Sequence, residues 1–511
     1  MKSTNQSIKR NPIILIIATT AISTASITQA EPPWDQTQKL LASDGAASDQ
    51  FGRSVAVSGN TAVIGAKLDD DNGTQSGSAY VFDLTTGQQL FKLLPTDGAV
   101  GDEFGNSVAV SGNTAVIGAW GDDGLGTDSG SAYVFDVSTG QQLFKLLATD
   151  GTASDSFGNS VAISGNTAVI GAEFDDDFGT DSGSAYVFDI TTGQQLFKLL
   201  ATDGEAYNRF GFSVAVSGNI AVIGAVLGNG NVAGSGSAYV FDITTGRQLF
   251  KLLATDGAAA DEFGISVALS GNTAVIGAVL GNGNVADSGS AYVFDITTGG
   301  QLFKLLATDG AEGDLFGNSV AISGNTAVIG AESDGDSGYD SGSAYVFDIT
   351  TGEQLFKLLA NDGAARDYFG GSVAVSGNIA VIGAESDDDR GTSSGSAYIF
   401  EQQRTPNLLT ITPDPLIAKQ DGTFNITQAL PNQRTGLIYS LDGLQKIFIR
   451  QLNVVIDLAN PKLATGPKLT DVNGDLQFIL PMPGILGPLN VWFQAVQQRN
   501  VTNFVATQLI P

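Results

Sequence analysis

The chain has 511 residues and carries Lys+Arg 24 against Asp+Glu 53, a net charge of −29. With no His and no Cys, disulfides, thiol nucleophiles, zinc–thiolate sites and every imidazole-based triad are excluded. The negative field argues against nucleic acid as a partner, because binding phosphates requires Lys and Arg.

In chain order, Lys2, Lys9 and Arg10 precede an apolar run from Ile13 to Ala18, and small and polar residues follow to Thr28-Gln29-Ala30. This pattern reads as a secretory signal over residues 1–30, cleaved after Ala30. A membrane anchor is the alternative, but the run is far short of about 20 residues. Cleavage removes three cations and no acid, leaving −32. No later stretch is apolar enough to span a bilayer as a helix.

From Pro32 to Gln402 a single period governs the chain. Phe-Gly recurs at Phe51, Phe104, Phe157, Phe210, Phe263, Phe316 and Phe369, always 53 residues apart. Within one copy the expected strands are Gln88–Leu94, Ser107–Ser111, Thr114–Ile117 and Ser131–Phe135. Each is rich in β-formers and bounded by Gly, Asn, Asp or Thr. Gly112-Asn113 suits a type I′ or II′ hairpin. Seven four-stranded units predict a seven-bladed β-propeller, with a solenoid as the alternative. The lone strand Gln38–Leu41 is expected to complete the last copy, which ends on Ser396–Phe400. The Ser-Val-Ala-Val strand should lie at the axis and the Leu-Phe-Lys-Leu-Leu strand outside, its Lys discouraging edge pairing.

The segment FGNSVAVSGNTAVIGA resembles the FG-GAP repeat, known from the propeller of integrin α subunits and from secreted bacterial proteins. The resemblance covers about 370 residues and implies a propeller with a ligand-receiving face. Two departures stand out. The Pro of GAP is replaced by Lys67, Trp120, Glu173, Val226, Val279, Glu332 or Glu385. The integrin-type calcium loop, D-x-D-x-D-G, has no counterpart in the two-residue Gly-Asn turn, so that site does not carry over.

The long loops before Phe-Gly and after Gly-Ala should share one face, and they hold 37 of the 53 acidic residues. Asp69, Asp70, Asp71, Asp122, Asp123, Asp175, Asp176, Asp177, Asp334, Asp336, Asp387, Asp388 and Asp389 could offer oxygens to Ca2+, the one cofactor considered. A solvated acidic surface is the alternative. The recurring Asp44-type residue, followed by Gly, is expected to close an Asx-turn. In the fourth and fifth copies the acids give way to Leu227–Val232 and Leu280–Val285. Tyr207, Arg209, Asn229, Asn231, Asn282 and Asn284 therefore form a candidate ligand-binding sector, suited to sugar hydroxyls or a protein loop.

Residues 404–511, after a linker at Gln402–Pro406, lack the period and alternate as an antiparallel β-sandwich of an Ig-like accessory domain. The propeller, residues 31–403, should fold alone. Asp471–Asp475 reads first as a hairpin turn. The functional expectation is a secreted or cell-surface binding or adhesion propeller, periplasmic location being open. It would act as a monomer that recognises a protein or glycan through its acidic face. The alternatives are a structural matrix protein and a carboxylate-based polysaccharide-active enzyme. The sevenfold recurrence of the acids speaks against catalysis, because a catalytic pair is unique.

Overall fold

The computed structural model describes residues 33–403 in full, and beyond them the backbone of strands between 410 and 509. The signal segment and Asp471–Asp475 lie outside the described residues. The first blade is built from β2 (Phe51–Ser58), β3 (Thr61–Ala66), β4 (Ser78–Asp83) and β5 (Gln88–Leu93), antiparallel and in that order. Five further blades repeat this sheet, and β1 (Trp34–Leu40) is the outermost strand of the seventh, paired with Ser396–Gln402. Seven four-stranded blades and the N-terminal closing strand are therefore present as expected.

Three repeated contacts close the ring, and each explains a motif. In the first, the Phe of every Phe-Gly bridges in parallel to the Gly that precedes the third strand of the blade before it. The series runs from Gly77–Phe104 to Gly395–Phe51. In the second, the Ser two residues after each Phe-Gly donates its hydroxyl to the Phe-Gly carbonyl of the next blade at 2.7–2.8 Å. The cycle runs from Ser54 to Gly105 and returns from Ser372 to Gly52. The Gly of Gly-Ala makes room for that carbonyl, since a Cβ at Gly171 would lie 1.9 Å from the Gly211 oxygen. In the third, further out, a Gln side chain on each outer strand accepts a loop amide at 2.8–2.9 Å. The series runs from Ser43–Gln89 to Asn361–Gln36.

The core lies between blades. Phe51 is fully buried and meets Tyr80 and Phe82 edge-on at 5.4 and 5.8 Å, and every blade repeats the pair. Such contacts contribute about 0.5–1.5 kcal/mol each beyond area burial. In the Gly-Asn hairpins the glycine alone takes positive φ, 59° at Gly59. This fits the type II′ option. The Phe-Gly pair, outside the expected strands, opens the inner strand in four blades, with a register shift behind it.

Beyond residue 409, strands fall at Arg434–Ser440, Lys446–Ile449, Leu476–Pro481 and Leu489–Gln497, close to the alternating runs of the sequence. Arg434–Ser440 pairs with Leu489–Gln497, and Leu476–Pro481 pairs with Asp421–Thr427.

Deleting residues 35–41 from the mature chain would strip the outer edge of the seventh blade and leave Ser396–Gln402 as an exposed edge strand. Size-exclusion chromatography with light scattering should show aggregation or a melting temperature well below the parent. A monomer that melts like the parent would contradict closure by β1.

Candidate functional site

One face of the ring carries only two-residue Gly-Asn turns and short Thr-Thr-Gly turns. The other carries fourteen long loops, two per blade, and each pair is fixed to its blade by one lysine. Lys92 of β5 reaches Asp44, Asp69 and Asp71 at 2.8, 2.9 and 2.6 Å, with its ammonium 5.2 Å from the Tyr80 ring centre. The Tyr80 hydroxyl donates to Asp44 and Asp69 at 3.1 and 3.0 Å. Lys39, Lys198 and Lys357 repeat the arrangement with three carboxylates each, and Lys145 with two.

The electrostatics follow from this cage. Partial burial opposes the charge on Lys92, but its bonds to Asp44, Asp71 and Asp69 prevail and hold the ammonium protonated well above the usual lysine range. Burial, reinforced by Asp69 and Asp44, pushes the Tyr80 phenol far up, so it remains a neutral donor.

The DDD runs thus divide their labour. The first Asp (Asp69, Asp122, Asp175, Asp334, Asp387) is buried against Lys and Tyr. The third (Asp71, Asp177, Asp336, Asp389) meets the same ammonium. The second (Asp70, Asp123, Asp176, Asp388) turns back to accept the amide five residues on, at 2.7–2.9 Å. Where three carboxylates converge, the ammonium fills the centre. Among the described residues no group of three acidic side chains is otherwise placed to hold a metal ion. These carboxylates fit a lysine better than a calcium ion.

Two expectations need correction. The outer-strand Lys does not guard an open edge, because the carboxylates draw it inward, leaving its side chain only 15% exposed in Lys92. The Asp44-type residue binds Lys and Tyr rather than closing an Asx-turn. That turn belongs to Asp83, which accepts the Thr85 amide at 2.7 Å. Asp49 closes its loop by accepting the Ala46 amide at 2.6 Å.

In the fourth and fifth blades Gly228 and Gly281 replace the buried Asp. Lys251 and Lys304 keep one carboxylate each, Asp203 and Asp256, plus the carbonyls of Asn229 and Asn282. Here Asn231 and Asn284 donate to the Ala254 and Ala307 carbonyls, and Asn229 and Asn282 accept amides of their own loops. Asn229 also bonds Glu205. These amides hold the loops in place. Tyr207 is 59% exposed, with Leu227, Val232 and Val285 exposed in the same two blades. Arg209 instead stacks 4.8 Å over Phe174 and faces Glu173 at 3.7 Å.

At the centre of this face lies a cup of about 490 Å³ that sequence reasoning missed. The residue directly after each Phe-Gly lines it: Arg53, Asn106, Asn159, Phe212, Ile265, Asn318 and Gly371. The hypervariable third position of an otherwise constant Phe-Gly-x-Ser was the available signal. A second cavity of about 470 Å³ in the sixth blade is lined by Asp309, Glu312, Asp314, Asp336, Tyr339 and Asp340.

With the blades and this face described, the chain can be compared with known proteins. The FG-GAP repeat family matches residues 34–82, 88–135, 141–188, 194–241, 247–294, 300–347 and 353–400. The chain belongs to the FG-GAP repeat family. Each matched FG-GAP unit begins on the outer strand of one blade and ends on the third strand of the next, the offset that β1 resolves. No curated protein matches the chain. FG-GAP repeats are typical of extracellular proteins, and no helix among the described residues is long and apolar enough to cross a membrane.

The loop carboxyls give this FG-GAP propeller a specific pH dependence. Burial, reinforced by neighbouring aspartates, raises Asp102 and Asp367 to about 6, and burial raises Glu173 to about 7 despite Arg209. Groups that bind protons more tightly when folded add stability as pH falls from about 7 towards 4. Asp122, Asp150 and Asp309 are partly buried, yet their Lys partners hold them below the usual range, so their contribution is lost on further acidification. Calorimetry at fixed ionic strength should show the melting temperature rising from pH 7.5 to about 5 and falling below about pH 4. A steady decline from pH 7.5 would contradict these assignments.

Proposed function

We propose that this protein is an exported or cell-surface recognition propeller whose long-loop face binds a protein or glycan. The observation that supports this most is the asymmetry of the two faces. Both cavities described above and the exposed Tyr207, Leu227, Val232 and Tyr339 belong to the long loops, while the opposite face offers only tight turns. Lysine-tied loops give such a face a fixed shape, which lowers the ordering cost of binding. The export-type N-terminus and the extracellular habit of FG-GAP repeats support a location outside the cytoplasm.

Binding is favoured over catalysis. The carboxylates that could act as acids or bases recur around the ring and are tied to Lys, Tyr or backbone amides, whereas a glycosidase needs one distinct pair. The exposed remainder of the acidic face should steer a partner in a salt-dependent way. Calcium is not required for this reading.

A glycan array and binding to intact cells and extracellular matrix, using residues 31–511, test the proposal. Saturable binding that persists in EDTA is expected. Absence of saturable binding to every surface and glycan would contradict recognition and favour a structural role.

A further inference from the structure

The axial cup breaks the sevenfold symmetry that the blade-to-blade contacts keep. Going round the axis, the position after Phe-Gly reads Arg53, Asn106, Asn159, Phe212, Ile265, Asn318 and Gly371. In each blade its amide donates to the carbonyl three residues earlier at 3.0–3.2 Å, which turns the position onto the cup wall. The residue before each Phe-Gly holds a left-handed φ of 51–60° without being glycine, from Gln50 round to Tyr368. Non-glycine residues carry a conformational cost there. The backbone is thus constrained at all seven positions, while the side chains that line the cup vary.

Those side chains divide into two arcs. One is mainly apolar: Phe212 and Ile265, backed by Val279, Leu280 and Leu315, with Glu262 as its one charged member. The other is polar: Arg53, Asn106, Asn159 and Asn318, with Glu332. Gly371 completes the second arc by omission, for a Cβ there would sit 3.1 Å from the Glu332 carboxylate and cover it. The apolar arc falls in the same two blades that lost their outer acidic loops.

Part of the polar arc is already paired. Asn106 donates to Asn159, Asn159 donates to Glu173 at 2.9 Å, and Arg53 meets Glu385 at 3.4 Å. One acceptor of a residue lining the cup, Asn318 Oδ1, is buried without a hydrogen-bond partner in the protein. Buried polar atoms ordinarily find partners, so this oxygen is left for a donor from outside.

We propose that the axial cup is a carbohydrate site that takes one pyranose ring. A pyranose has an apolar C–H face for Phe212 and Ile265, and hydroxyls that both donate and accept. They can donate to Asn318 Oδ1 and Glu332 and accept from Arg53. The volume falls within the usual range of about 300–1,000 Å³ for small-ligand pockets. A phosphate would face Glu262 and Glu332 with a single Arg, and an ammonium group would face Arg53, so a neutral polyol fits the charges best. This inference rests on the recognition reading above and names a site and a ligand class for it.

The test is isothermal titration of residues 31–511 with glucose, galactose, mannose, fucose and N-acetylglucosamine. Wild type, Phe212→Ala, Asn318→Ala and Leu143→Ala are compared, each checked for unchanged melting temperature. At least one sugar should bind wild type saturably in the millimolar range, as a ligand of about a dozen heavy atoms allows. Phe212→Ala and Asn318→Ala should weaken it at least tenfold, while Leu143→Ala, on the exposed face of an outer strand, leaves it unchanged. If no sugar binds, or if both cup variants bind as wild type does, the cup assignment is overturned. The array and cell-binding assays, run in parallel, separate the two levels. Partner binding that survives in the cup variants overturns the cup and leaves the recognition reading standing. Loss of all binding in wild type overturns both.

Discussion

The face that would meet a partner depends on one ion cluster: an outer-strand ammonium enclosed by aspartates from two loops, beneath a tyrosine hydroxyl. A long loop has little core of its own, and fourteen of them crowded with acids would repel one another. Lys92 and its counterparts reverse that effect locally, because in five of the seven blades the lysine brings two or three carboxylates together around one cation. The cluster costs desolvation, since Asp69 is 4% exposed, and such pairs hold only when hydrogen bonds satisfy the remaining lone pairs. Tyr80 and the Asp71 amide, at 3.0 Å from Asp69, supply those bonds. The negative face is therefore less charged than its composition suggests. Sixteen of its carboxylates lie within ion-pair distance of seven lysines.

Symmetry and its loss occupy different positions. Ser hydroxyls, Gly-to-carbonyl seams, Phe–Tyr contacts and Gln–amide links run round the ring unbroken, and they set the blade spacing. On the long-loop face, variation is concentrated at positions those contacts do not use: the residue after Phe-Gly, the residue after Gly-Ala, and the loop tips. The family's Pro in GAP is replaced at one of these, and Val279 and Glu332 there line the cup. A rigid repeat with a few variable positions at one end can accept new specificity at little cost to folding.

How legible this was in the sequence depends on whether a contact repeats at the chain's own period. The 53-residue step exposed blade number, strand order and closure, because each blade buries the same residues against the next. The Lys–Asp–Tyr cage was hidden. Its members sit 48, 23 and 36 residues apart within one blade, as with Lys92–Asp44, Lys92–Asp69 and Tyr80–Asp44, so reading the loops alone made the acids look free. The Asn residues of the fourth and fifth blades looked available for the same reason, yet Asn231 and Asn284 reach carbonyls 23 residues away. The cup was hidden because its wall takes one residue from each of seven blades.

The most direct measurement compares the melting temperatures of Lys198→Met and Lys251→Met with the parent. Lys198 serves three carboxylates, including the 5%-exposed Asp175 side chain, whereas Lys251 serves only the half-exposed Asp203. Removing one partner of a buried pair costs about 3 kcal/mol or more, and removing an exposed one about 1 kcal/mol or less. Lys198→Met should therefore melt several degrees below Lys251→Met. Equal, small losses in the two variants would show that the lysine cages do not hold the loop face together.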